Sequence, residues 1–349
     1  MRGKMRLVVA ASAGGLALAL AAPALAAYAP KLVVTQAGTT TTIDYSQAQT
    51  DDATAKIQIF APPGWSLNAN QTVGATIGHA AGHVVLPPSF GGAVAPVEGD
   101  VKVADPSQFT MNACAPGLHQ MVVTLSLAVA GQSVTVPVYV DPVSAGPTSA
   151  FASALIQVCF TGPQQPPNVK VIDATFGLQN VFTPPSAPGA SRWTATFTPY
   201  TNAGAPNPGG TVEAQSIVRT PATVSLKPKV VSRKKGIVRL SGQVRAAGSG
   251  AQASVAVRRV VGSSAKTIQT VRSSAGGAFK VNVKLTAKLT TFDAHATSEA
   301  QDVTQTMPCA PAIAPAGCSA VTLGPLDVTS KTIAVKKPAV PKKKKKKKR

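Results

Sequence analysis

The sequence predicts an all-β protein of two β-sandwich regions, preceded by a cleaved signal peptide and followed by a disordered basic tail. Three observations carry that expectation. Apolar residues recur with a period of two, as strands with one buried face require. The 29 Pro and 29 Gly cut these segments short, because Pro lacks an amide donor and Gly supplies turn conformations. Beyond residue 26 no stretch offers a capped amphipathic helix of about eleven residues.

At the N-terminus, Arg2, Lys4 and Arg6 precede the uncharged run LVVAASAGGLALALAAP, and Ala24-Leu25-Ala26 supplies the small-x-small pattern of a signal-peptidase site. Residues 1–26 are therefore expected to be removed. An uncleaved anchor is the alternative, since the run is nearly long enough to span a bilayer. The first cysteine is Cys114, too distant for a lipoprotein anchor. Secretion places Cys114, Cys159, Cys309 and Cys318 where thiols pair. Four cysteines allow three connectivities. Cys114 with Cys159 and Cys309 with Cys318 is the expected set, because each pair then lies inside one proposed domain. Loop-closure entropy gives about 4 kcal/mol for the longer loop and about 2.7 for the shorter. Neither gap has CxxC spacing and no His adjoins either pair, which argues against zinc.

About 320 mature residues exceed what one core usually supports, so two domains are expected. Charge divides the chain the same way. Residues 27–221 carry six Lys and Arg against nine Asp and Glu; residues 222–335 carry fifteen against four; residues 336–349 carry ten and no acid. In the first region, 27–221, KIQIF (56–60) alternates polar with apolar. QMVVTLSLAVAGQSVTVPVYV puts Met121, Val123, Leu125, Leu127 and Val129 on one face, turns at Ala130-Gly131, and returns with Val134, Val136, Val138 and Val140. That pattern predicts a β-hairpin. Pro137 falls on the opposite face and lacks a donor, which predicts a sheet edge or a bulge.

The second region, 222–335, repeats the logic in shorter strands. IVRLSGQVR (237–245) turns Val238, Leu240 and Val244 inward and Arg239, Ser241, Gln243 and Arg245 outward. GAFKVNVKL (277–285) buries Phe279, Val281, Val283 and Leu285 and exposes Lys280, Asn282 and Lys284. ASVAVRRV, KTIQTVR and TFDAHATS are further strands, SSAGG is a turn, and Arg233-Lys234-Lys235 opens the second strand. Short strands at this spacing fit a sandwich of the immunoglobulin type. LSGQVRAAGSGAQASVAVRRV, TVRSSAGGAFKVNVKL and TFDAHATS together resemble the immunoglobulin-like repeats of secreted bacterial surface proteins. The resemblance implies a spacer or adhesive module without chemistry of its own. CAPAIAPAGC, from Cys309 to Cys318, departs from the plainest repeat and is expected to staple the segment before its last strand.

Signatures of chemistry are sparse. There is no GxSxG elbow, P-loop, HExxH or EF-hand pattern. In GHAAGH, His79 and His83 stand four apart, but flanking glycines and HVVLPP suggest a loop or strand start, and no third ligand adjoins. Asp51-Asp52 supplies too few oxygens for calcium and is read as a polar turn. Trp65, Trp193 and Tyr200 suit either a sugar platform or the core, and the core is expected. No catalytic site, cofactor, metal or small-molecule substrate is therefore assigned. The tail residues Lys342, Lys343, Lys344, Lys345, Lys346, Lys347, Lys348 and Arg349 repel one another and bury nothing, so they form a disordered polycation. Outside a cell the anions it meets are wall polymers, acidic lipid surfaces and released nucleic acid, the last bound without sequence preference.

The expected function is a secreted cell-envelope structural or binding protein without catalysis, tethered by this tail. A carbohydrate-binding module is one alternative and needs Trp65 or Trp193 exposed. A secreted hydrolase with an unrecognised site is another and needs exposed His79 and His83 beside carboxylates. A merely solubilising tail is the plainest reading of the charge run.

Overall fold

The computed structural model describes residues 28–129, 132–160 and 169–339. The expected signal peptide and the cations Lys342 to Arg349 lie outside them. All regular structure among the described residues is strand or short 3-10 turn, so the all-β expectation holds. In the first half the strands are β1 (Lys31–Ala37), β2 (Thr40–Ser46), β3 (Thr54–Ala61), β4 (Ser66–Leu67), β5 (Thr76–Val85), β6 (Val94–Ala104) and β7 (Met121–Val129). They continue as β8 (Gln132–Pro142), β9 (Ala154–Cys159), β10 (Lys170–Gln179), β11 (Phe182–Thr183), β12 (Gly189–Pro199) and β13 (Val212–Thr220). The second half adds β14 (Ala222–Val224), β15 (Lys227–Ser232), β16 (Ile237–Ala246), β17 (Ser249–Gly250), β18 (Ser254–Val261) and β19 (Ser264–Arg272). The last six are β20 (Ala278–Lys284), β21 (Leu289–Ser298), β22 (Gln301–Asp302), β23 (Cys318–Leu323), β24 (Leu326–Thr329) and β25 (Ile333–Lys336).

One 13-stranded sheet runs β1-β2-β10-β5-β6-β7-β8-β9-β3-β12-β13-β23-β22 and encloses the main apolar core of the first half. Alternation is what lets one sheet do this, since every second side chain points to the same face. Leu32, Ile43, Ile59, Val123, Val138, Ile156 and Phe197 all reach that interior. The sheet curls until β1 meets β13 and β23, and side chains rather than a backbone ladder close the seam. The Val34 amide donates to Ser216 Oγ (2.9 Å), while Ser319 and Thr322 hydroxyls donate to the Pro30 and Leu32 carbonyls (2.6 and 2.5 Å).

The expected hairpin forms in the expected register, with Val123 opposite Val138 and Leu125 opposite Val136. Its second strand is not an edge, however. β8 lies between β7 and β9, and Pro137 is tolerated because the ladder to β9 begins only at Val138.

The second half forms a sandwich around its own core. β14 and β15 flank one side of β16 and β20 the other; the facing sheet runs β19-β18-β21, with β24 and β25 both on β21. Val238, Leu240, Val244, Phe279, Val281 and Val283 meet Val255, Val257, Phe292, Ala294 and Ala296. Arg233-Lys234-Lys235 lies in the turn between β15 and β16 rather than opening a strand.

Residues 301–323, grouped with this second region from the sequence, join the first sheet instead. β23 adds to β13 in parallel, with Ala214 opposite Ala320 and Ile217 opposite Leu323, and β22 pairs with β23 beyond it. The disulfides form as expected, Cys114 to Cys159 and Cys309 to Cys318. Both fit an oxidising environment. The first pins the 105–119 segment over the outer face of β7 and β8, where Ala115, Val122 and Tyr139 are buried. The second holds its loop against β13, not before the last strand of the second sandwich: the Ile313 amide donates to Glu213 Oε2 at 2.6 Å. Among the described residues no helix is long and apolar enough to cross a membrane.

Candidate functional site

Alternation in β16 and β20 sends one set of side chains into the second core and the other outward, β15 adds an edge strand with no buried residue, and register brings the outward set into rows. Lys227, Ser241 and Lys280 form one row. Lys229, Arg239 and Asn282 form the next, with Arg239 Nε donating to Asn282 Oδ1 at 3.2 Å. Arg272 to Ser274, leaving β19, makes a wall beside them. The result is an open cleft of about 990 Å³ whose lining includes five cations, Lys227, Lys229, Arg239, Arg272 and Lys280, and no carboxylate.

The edge strand must bend to build this face. It pairs with the far half of β16 as β14 and with the near half as β15. At the bend the Ser225 carbonyl passes so near Gly242 that a Cβ there would lie 1.8 Å from it. Only glycine admits that approach.

Three cations elsewhere in the described residues, Arg258, Lys31 and Lys102, have carboxylate partners. Arg258 grips Asp293 through two bonds of 2.8 Å across β18 and β21, and this raises the Arg258 guanidinium above its ordinary pKa. Lys31 meets Asp302, and Lys102 meets Asp100. Around the second sandwich Asp293 and Asp327 are committed to Arg258 and His295. Among the described residues none of the five cleft cations makes an ion pair. Lys229 even stands directly opposite Arg239, a like-charge arrangement that costs stability across strands.

Of the outward cations named from the sequence, Arg239 and Lys280 line the cleft. Arg245 bonds Gln243 at 3.1 Å, and Lys284 continues the same strand beyond the lining residues. Lys227, Lys229 and Arg272 complete the cationic lining. The spacing KPK did carry a signal, since residues two apart share a face, but what stands opposite them depends on register.

His79 and His83 sit within β5, not in a loop, and both side chains face outward. His83 Nδ1 lies 3.0 Å from the Asp173 carboxylate on β10, and His79 is in register with Asp100 on β6. Exposed histidines do therefore adjoin carboxylates. The nearby hydroxyl is wrongly ordered for nucleophilic chemistry: Ser46 flanks Asp173 from β2, on the side away from His83, so the acid separates them. Among the described residues no three His, Cys, Asp or Glu side chains gather as metal ligands. His119, which no sequence pattern marks, is a clamp: its ring nitrogens meet Asp141 Oδ2 (2.8 Å) and the Ala115 carbonyl (3.0 Å).

Asp51 accepts the Ala48 amide at 3.2 Å, as a polar turn does. Trp65 and Trp193 are 3% and 0% exposed and pack edge to face at 5.0 Å, so neither offers a sugar its ring. Tyr200 is buried as well, its hydroxyl donating to the Phe160 carbonyl at 2.7 Å.

No protein-family model matches the chain, and no curated protein matches it. Among solved structures, the glycoside hydrolase domain of Endo-D from Streptococcus pneumoniae is similar at 10% identity and a TM-score of 0.20, over 88% of this chain and 32% of that one. So loose a likeness carries no argument about activity.

Proposed function

We propose that this chain is a secreted structural or binding protein of the cell envelope, without catalysis, held electrostatically to anionic wall polymers or lipid head groups. The cations Lys342 to Arg349 are the tether, and the second sandwich, in this proposal an immunoglobulin-like spacer, leans the same way. The observation that carries this reading is the one-sided charge of the second half, where five cations gather in one cleft without an acid. Each basic side chain near an anionic surface contributes about 1 kcal/mol, so many weak contacts give retention that salt releases. The test compares the full chain with one ending at Val340 for retention on isolated cell walls across a salt series. The shorter chain is expected to elute at lower salt. Equal retention of both at low salt would overturn the tether.

A further inference from the structure

We propose that the outer face of β15, β16 and β20 is a binding site for a linear phosphodiester polymer without bases. This deepens the envelope reading and rests on it, but locates recognition in folded residues rather than in the tail.

Cross-strand repulsion is the first support. Lys229 and Arg239 face each other with no carboxylate in the lining, and an anion seated between them turns an unfavourable pair into a bridge. Repetition is the second. The row Lys227, Ser241, Lys280 is followed two residues along the strands by Lys229, Arg239, Asn282. Such rows stand about 7 Å apart, so a flexible chain with regularly spaced charges meets successive rows without sharp bending. Donor chemistry is the third. Three of the five cations are lysines, point charges with three donors each, and the Ser241 hydroxyl lies between two of them. That set suits phosphate oxygens, which lysine meets as a point charge and arginine as a planar fork.

Bases are excluded by what the cleft lacks. Single-stranded nucleic acids are held by stacking on exposed aromatic rings. The one aromatic residue in the lining, Phe279, is 5% exposed and belongs to the core. The same absence leaves neutral sugars nothing to stack on.

The experiment uses the full chain and three probes, poly(glycerol phosphate), polygalacturonate and poly(dT), each titrated over a salt series. Two cleft variants, Lys229→Gln with Arg239→Gln and Lys227→Gln with Lys280→Gln, are compared with a control pair in the same half, Lys266→Gln with Lys331→Gln. All three lose two charges, and thermal melting verifies their fold. Each cleft pair is expected to weaken poly(glycerol phosphate) binding by about tenfold and the control by less than about twofold, the scale of lost charge-assisted hydrogen bonds. Poly(glycerol phosphate) is also expected to raise the melting temperature of the unaltered chain more than that of either cleft variant. Equal losses in cleft and control pairs would overturn the site while leaving the tether standing. Tighter or equal binding of polygalacturonate or poly(dT) would overturn the phosphodiester assignment. A full chain that binds none of the three would sink the site and the tether to wall polymers together.

Discussion

Glu213 has no accessible surface, yet it sits on the strand that receives the Cys309–Cys318 loop. Its carboxylate takes the Ile313 amide, and the adjoining Gln215 takes a bond from Arg192, which also donates to the Pro308 carbonyl at 2.9 Å. Burial pushes the Glu213 pKa above its ordinary value of 4.5; the amides of Ile313 and Ala314, the Gln215 side chain and the Arg192 charge pull it back only in part. The folded chain therefore binds this proton more tightly than the unfolded chain. The stability it contributes is complete below the ordinary glutamate value and is lost as pH rises through the elevated one. Glu213→Gln, which keeps the shape and removes the titration, should flatten that decline. Urea midpoints of both proteins across a pH series measure it, and the difference between the two curves is the readout because Asp44 is raised by burial too. Parallel curves would show that Glu213 does not carry the effect.

Strands β16 and β20 show what was legible at the scale of the element. Val238, Leu240 and Val244 are buried and Arg239, Ser241 and Gln243 are not, as their alternation requires, because a pleated strand converts odd and even positions into two faces. Asp293 shows the limit, since it lies at an outward position of TFDAHATS but is buried by its bond to Arg258. The bend that builds the cleft was hidden altogether: nothing local in LSGQV says that another backbone will cross over its glycine. Gly242→Ala tests that crossing. Its Cβ would stand 1.8 Å from the Ser225 oxygen and 2.7 Å from the Phe279 ring, so backbone must move. A loss of about 1–3 kcal/mol is expected, the usual cost of overpacking. Gly276→Ala, in the turn before β20, meets only the Ser274 hydroxyl at 4.0 Å, and it should stay within about 0.5 kcal/mol. Urea unfolding of the two variants compares them directly; equal losses would mean that the close approach is not what fixes the glycine.

For the whole molecule, the decisive fact is that the chain returns. After β21 it leaves the second sandwich, adds β22 and β23 to the first sheet, and goes back as β24 and β25. Charge and composition placed a boundary near residue 221, and they are silent about such a return because sheet membership is a long-range property that local alternation does not encode. CSAVTL, the sequence of β23, buries Ala320, Val321 and Thr322 in succession and would suit either core. The return has a consequence for stability. Without residues 301–323, β13 loses its parallel partner, and Glu213, Gln215 and Ser216, all with no accessible surface, lose their cover. The seam to β1 also loses Ser319 and Thr322. An uncovered edge of this kind pairs with other chains. A fragment of residues 28–221 should therefore melt well below the 28–339 chain and self-associate on gel filtration. Joining residues 300–325 to its end through a flexible Gly/Ser linker should recover much of the loss, since that segment supplies β22, β23 and the disulfide loop together. If the 28–221 fragment instead melts with the longer chain and elutes as a monomer, the first sheet is complete without the returning strands.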